Sequence, residues 1–244
     1  MHEPAYNPSV VPDITRSAPL TARHQQAPRP RRDPYDGLRP WSAITHGTGA
    51  VLALVGTAFL LVRAAGLEDW IKFSAFLVYG LSMIGLYTAS TLYHCVNTTV
   101  RGRLALRKYD HCSIYLLIAG SYTPFCVVLL PQPRGTQFCL ILWGVALAGV
   151  LAKMLWINAP RMLSTAVYLI MGWSVVFVAK DFTALGQPCL TLVALGGICY
   201  SVGAVFYAVK KPNISAEWTF HELFHLLILA GSFFHYLAVY LYVL

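Results

Sequence analysis

Eight histidines punctuate the 244-residue chain, and six of them (His46, His94, His111, His221, His225 and His235) sit in or beside stretches that are otherwise apolar. His221 and His225 are four residues apart. On a helix that spacing puts both imidazoles on one face, about 6 Å apart along the axis, a common way to offer two nitrogens to one metal ion. Ser90 and His94, in Ser-Thr-Leu-Tyr-His, share the spacing, so a hydroxyl lies one turn from a third imidazole. Three histidines with a fourth corner left to water form a catalytic zinc arrangement. Asp110 is suited to hold or deprotonate that water, and Ser90 to steady it or a developing oxyanion. Nothing resembles a thiolate site: Cys95, Cys112, Cys126, Cys139, Cys189 and Cys199 contain no Cys-x-x-Cys pair and read as reduced packing residues.

Other readings compete. His221-Glu222-Leu223-Phe224-His225 spells the His-Glu-x-x-His of zinc proteases, in which the Glu is the general base. No Asp or Glu follows Glu222, so an acidic third ligand downstream, or the late aspartate of a site-2-type intramembrane protease, is missing. Glu222 is open to facing another helix or the headgroup region. Each candidate also has a plainer role. A lone histidine near a helix end is commonly a hydrogen-bonded interfacial residue, Asp110 can serve as an acidic N-cap, and Ser90 can bond back to its own helix. His235 shares a face with His221 but lies about 20 Å deeper, which suits a buried packing residue. His111 points about 100° away from Asp110 and is left out of the site. His46 is open to a supporting or a purely structural role.

The elements that must position these residues are long apolar runs. Hydrophobic residues make up 57% of the chain and charged residues only 11%, against roughly 25% charged in an ordinary soluble domain. This excludes a disordered protein and a disulfide-rich scaffold. Seven runs cover about 42–64, 71–95, 110–130, 137–157, 162–180, 189–209 and 220–243, each near the 20 residues a helix needs to cross a bilayer. Gly66, Pro131, Pro133, Pro160, Pro188 and Pro212 fall between them. Unpaired backbone groups are not tolerated in lipid and the runs do not alternate as barrel strands do, so helices are expected. Pro124 is expected to kink the third run. The spacings of Gly144 with Ala148, and of Gly196, Gly197 and Gly203, suit close helix packing. The expected fold is all-α: a seven-transmembrane-helix bundle over 41–244.

Residues 1–40 are different material, holding eight of the fourteen prolines and six of the eighteen Lys and Arg residues. They read as a disordered Pro- and Arg-rich tail with no cleavable signal. The net charge of +8 is explained by topology, with no nucleic-acid partner. With seven crossings, the tail and the second, fourth and sixth connections together carry fourteen basic residues, and the other side carries four. The positive-inside rule then places the N-terminus in the cytoplasm and the C-terminus outside. The same count brings His94, Asp110, His221 and His225 to one depth at the cytoplasmic side, where ionisable groups within membrane helices usually mark function.

Ser-Thr-Leu-Tyr-His at 90–94, Asp-His-Cys-Ser-Ile-Tyr from Asp110, and His-Glu-Leu-Phe-His from His221 closely resemble the hemolysin III family, related to the progestin and adiponectin receptors and more distantly to alkaline ceramidases. The likeness runs from about Trp41 to the end and includes Ile-Thr-His-Gly at 44–47. It implies zinc on His94, His221 and His225, a water associated with Asp110, Ser90 close by, and a cytoplasmic N-terminus. The activity expected is hydrolysis of an amide or ester in a ceramide-like or fatty-acyl lipid at the plasma or inner membrane, or regulation of membrane lipid state. The alternatives are a non-enzymatic receptor or regulator with structural zinc, and a pore-forming cytolysin.

Overall fold

Seven helices long and apolar enough to cross a membrane make up nearly all of the computed structural model, which describes residues 38–183 and 187–244. They are α1 (Pro40–Gly66), α2 (Trp70–Cys95), α3 (Val100–Pro124), α4 (Arg134–Leu155), a composite fifth span, α7 (Gln187–Val209) and α8 (Phe220–Tyr242). The fifth span joins α5 (Arg161–Gly172), a 3-10 stretch (Trp173–Val178) and the short α6 (Ala179–Thr183). There is no strand among the described residues. The tail expected over residues 1–40 lies, up to Gly37, outside the described residues.

Local chemistry sets the helix starts. Pro40 opens α1, where its missing N–H costs nothing. The Asp69 carboxylate accepts from the Lys72 amide at 3.0 Å to cap α2, and the Thr99 hydroxyl accepts from the Gly102 amide at 3.2 Å to cap α3. α3 therefore begins about ten residues before the apolar run at 110. Arg101, Arg103, Arg107 and Lys108 lower the hydropathy of its first turns without interrupting the helix. Asp110 is thus not the cap of this helix but stands about three turns inside it. At Pro124, which has no amide proton to give, the α-helix passes into a π turn over Phe125–Leu129, closed by the Leu130 amide on the Phe125 carbonyl at 3.0 Å.

The helices pack in sequence from α1 to α4, α7 packs on α8, and α8 returns to α1. α1 thus touches both α2 and α8. The inner face is tightly filled: Leu60, Phe76, Cys126 and Val239 are wholly inaccessible. The outer face is just as apolar but open. Leu60 is 0% exposed and Val62, two residues on, is 72% exposed, the pattern of a surface solvated by hydrocarbon. Gly196 marks a close crossing of α7 and α8, since a Cβ there would fall 2.3 Å from the His235 ring. Gly144 does not: nothing lies within 4 Å of its Cβ position, and both it and Ala148 are exposed. The expectation that this pair packs against another helix is corrected, because Leu142 and Ala146 supply the buried face of α4.

Candidate metal centre

His94 occupies the last turn of α2, and His221 and His225 the first two turns of α8. Each offers one ring nitrogen, and these three atoms all lie within 4.8 Å of one another. The Nε2 atoms of His94 and His221 are 3.1 Å apart. Ligand nitrogens around a tetrahedral zinc stand about 3.3 Å apart, given bonds of about 2.0–2.1 Å, so this pair is already near ligating separation. His225 is tied from behind. Its Nδ1 is 3.2 Å from the Ser42 carbonyl oxygen, which can only accept, so Nδ1 carries the proton and Nε2 is left with its lone pair. His94 and His225 are buried and His221 is half-buried. The residues present fit a zinc ion: three imidazoles converge, one of them oriented by a backbone carbonyl.

The ends of three helices are stitched together to make this possible. The Arg39 amide donates to the His94 carbonyl at 3.0 Å, fastening the start of α1 to the end of α2. The Arg39 guanidinium reaches Glu222 on α8 at 2.6 Å, and the Ser42 hydroxyl donates to the same carboxylate oxygen at 2.9 Å. The other oxygen accepts from the Thr219 amide at 3.0 Å and hydroxyl at 2.6 Å. With the Glu222 amide on the Thr219 side chain this completes a capping box, and the His221 amide also reaches that hydroxyl, at 3.3 Å. Glu222 is 1% exposed, and the four donors to its carboxylate come from Arg39, Ser42 and Thr219. It is not a member of the histidine donor set. The His-Glu-x-x-His match is therefore a helix start, in which the glutamate braces the scaffold and is not free to act as a base.

Ser90 is buried one turn before His94, and its hydroxyl lies within interacting reach of the Asp110 carboxyl on α3. Asp110 is not in the 4.8 Å donor set; its link to the histidine cluster runs through Ser90, one turn from His94. His46 is 3% exposed and stacks on His225, with ring centroids 3.6 Å apart and planes inclined by 10°. It thus holds the plane of a candidate ligand. His111 is not in the donor set. His235, deep in the bundle, places Nε2 3.1 Å from the Val193 carbonyl, the packing role expected of it. All six cysteines are free thiols. Residue spacing alone did not reveal Arg39, Ser42 and Glu222 as the brace. The Thr-x-x-Glu pattern at 219–222 was a readable signal for the capping box, whereas nothing local to Arg39 or Ser42 announces their partners on α8.

The haemolysin-III related family model matches residues 40–236. The chain is 38% identical over 192 residues to the hemolysin-3 homolog of Bacillus subtilis, covering 78% of this chain and 87% of that one. It is 29% identical over 205 residues to the human monocyte to macrophage differentiation factor, covering 81% of each. It is 28% identical over 221 residues to the adiponectin receptor protein of Drosophila melanogaster, covering 79% of this chain and 48% of that one.

Proposed function

The chain belongs to the haemolysin-III related family and is a multi-pass integral membrane protein, and from that premise we propose that its histidine centre binds zinc and hydrolyses an amide or ester bond of a membrane lipid. The observation that carries this reading is the convergence of His94, His221 and His225 within 4.8 Å, with Asp110 and Ser90 on the adjoining turns of α3 and α2. Three histidine ligands leave a coordination position open, as catalytic rather than structural sites do. When bound there, zinc supplies a Lewis acid that polarises a carbonyl oxygen and acidifies water. His94, His221 and His225 hold it, and the Ser42 carbonyl keeps His225 in the ligating tautomer. Asp110 takes the proton from the attacking water and returns it to the leaving amine or alkoxide. Ser90 holds the Asp110 carboxyl in place. The open, apolar outer faces of the helices suit a substrate that arrives from the bilayer. The distribution of basic residues supports placing this end of the bundle at the cytoplasmic face.

The test is lipid turnover by the purified protein in nanodiscs, with zinc measured on the same sample. Near-stoichiometric zinc is expected, with fatty-acid release from a ceramide, an acyl amide or an ester lipid that stops on chelation and returns with added zinc. Stoichiometric zinc without release from any of the three would overturn hydrolysis and assign the metal to stapling α2 to α8 in a non-enzymatic regulator.

A further inference from the structure

A lysine interrupts the apolar inner face of α4. That face runs through Leu142 and Ala146 to Lys153, which is only 6% exposed. The residues on either side of Lys153 are held against α3. The Cys112 thiol donates to the Val150 carbonyl at 3.8 Å, and the Lys108 ammonium donates to the Met154 carbonyl at 2.6 Å. The Arg107 guanidinium reaches the Asn158 side-chain oxygen at 3.4 Å. Lys153 thus stands level with Arg107 and His111 of α3. The third side is α5. The Tyr168 hydroxyl donates to the His111 carbonyl at 3.2 Å, and Arg161, seven residues earlier, repeats the face of Tyr168 two turns nearer the helix start. Arg161 also lies over the Tyr207 ring of α7 at 4.6 Å, and that ring is 6.0 Å from the His221 ring. Three cations from three helices therefore surround His111, beside the histidine centre, and all three are within electrostatic reach of it.

The described residues supply no counter-charge. Neither Arg107 nor Lys153 has an ion-pair partner among them, and Lys153 has no hydrogen bond there either. The carboxyls at this end of the bundle are engaged elsewhere: Glu222 by Arg39, Glu217 by the Trp41 indole, and Asp110 beside Ser90. Glu68, Asp69 and Asp181 lie at the opposite end. An ammonium this deep in a membrane helix is costly without an anion. The cluster is nevertheless open to one. Arg107, His111 and Arg161 are half-buried, and the Lys153 ammonium is not among the unpaired polar atoms sealed in the interior. α5 packs on α3 and α7 but scarcely on α4, which leaves a seam between α4 and α5. The faces flanking that seam are apolar and exposed at Leu151, Leu155, Met162 and Ile170, with Trp156 at the end of α4, the place of an interfacial aromatic. An anion that also carries acyl chains matches both halves of this surface.

We infer that Lys153, Arg107 and Arg161 form a site for a phosphate-bearing lipid headgroup of net negative charge, with its acyl chains along the α4–α5 seam. The headgroup supplies the charge that these three helices lack and ties α4 to α5. The site stands whether or not the histidine centre holds a metal or turns over lipid.

Native mass spectrometry of the full-length protein in neutral detergent tests this, with equimolar phosphatidylglycerol and phosphatidylcholine of matched acyl chains. Phosphatidylglycerol is expected to remain bound at least about tenfold over phosphatidylcholine. Lys153→Met, which keeps the length of the side chain and removes its charge, is expected to cut that preference to about twofold or less. Arg107→Gln, on another helix, should lower it by at least about threefold and carries the test on its own where Lys153→Met does not fold. Lys211→Met removes an exposed lysine from the connection before α8 and should keep the parent preference. A parent protein without the preference would overturn the site, and so would folded Lys153→Met and Arg107→Gln proteins that retain it. Release of the bound lipid by excess inorganic phosphate would also overturn it and assign the cations to free phosphate. Zinc measured on the same samples is expected to be unchanged, which separates this outcome from the fate of the metal proposal.

Discussion

Two carboxyl groups, the buried Glu222 and the half-buried Asp110, stand beside the helices that carry the histidine cluster, and they are held in opposite ways. Glu222, at the start of α8, accepts from four donors and forms an ion pair with Arg39 at 2.6 Å. Asp110, about three turns into α3, has the Ser90 hydroxyl within interacting reach and lies within electrostatic reach of Tyr168, with no such set of donors among the described residues. Glu222 lies inside a five-residue pattern that spells a protease motif, yet its lone pairs are consumed by the scaffold. Asp110 lies in no such pattern and carries no such set of donors. What a carboxyl can do depends on what its oxygens are free to accept, and a local motif does not record that.

This contrast can be broken or sharpened by four substitutions. The largest effect is expected from His225→Ala, which removes a ligand and should weaken zinc binding by at least about a hundredfold, read by metal analysis after detergent purification. Asp110→Asn comes next: turnover should fall by about 10²–10⁴, the range of a lost general base, while zinc per chain stays at the parent level. Glu222→Gln should do the reverse. It breaks a pair whose side chains are 12% and 2% exposed, so stability is expected to drop by up to about 3–5 kcal/mol, seen as a lower melting temperature. Turnover per bound zinc should stay within about tenfold. A Glu222→Gln protein that is stable, zinc-loaded and inactive would reverse the roles assigned to the two carboxyls. Ser42→Ala is the mildest: it removes one hydroxyl bond to Glu222, worth about 1 kcal/mol, but leaves the backbone carbonyl that orients His225. Zinc content should be unchanged in thermal-shift and metal assays.

Much of this molecule is determined by short-range pattern. Hydropathy over about 20 residues sets the seven spans, because a helix that length satisfies its own backbone in lipid. The i,i+4 spacing places His221 with His225 and Ser90 near His94, because helical periodicity is local. Where short-range signals were mixed, the sequence reading strayed. The first turns of α3 are basic, so hydropathy missed a helix that Thr99 begins, and the small residues Gly144 and Ala148 could equally face a neighbour or the lipid.

Only the tertiary structure decided that α1 touches both α2 and α8, that Arg39 and Ser42 reach across to Glu222, and that the Ser42 carbonyl sets the tautomer of His225. Those contacts join residues some 180 positions apart. They depend on helix crossing angles and side-chain fit summed over the whole bundle, and no stretch of sequence carries that information by itself.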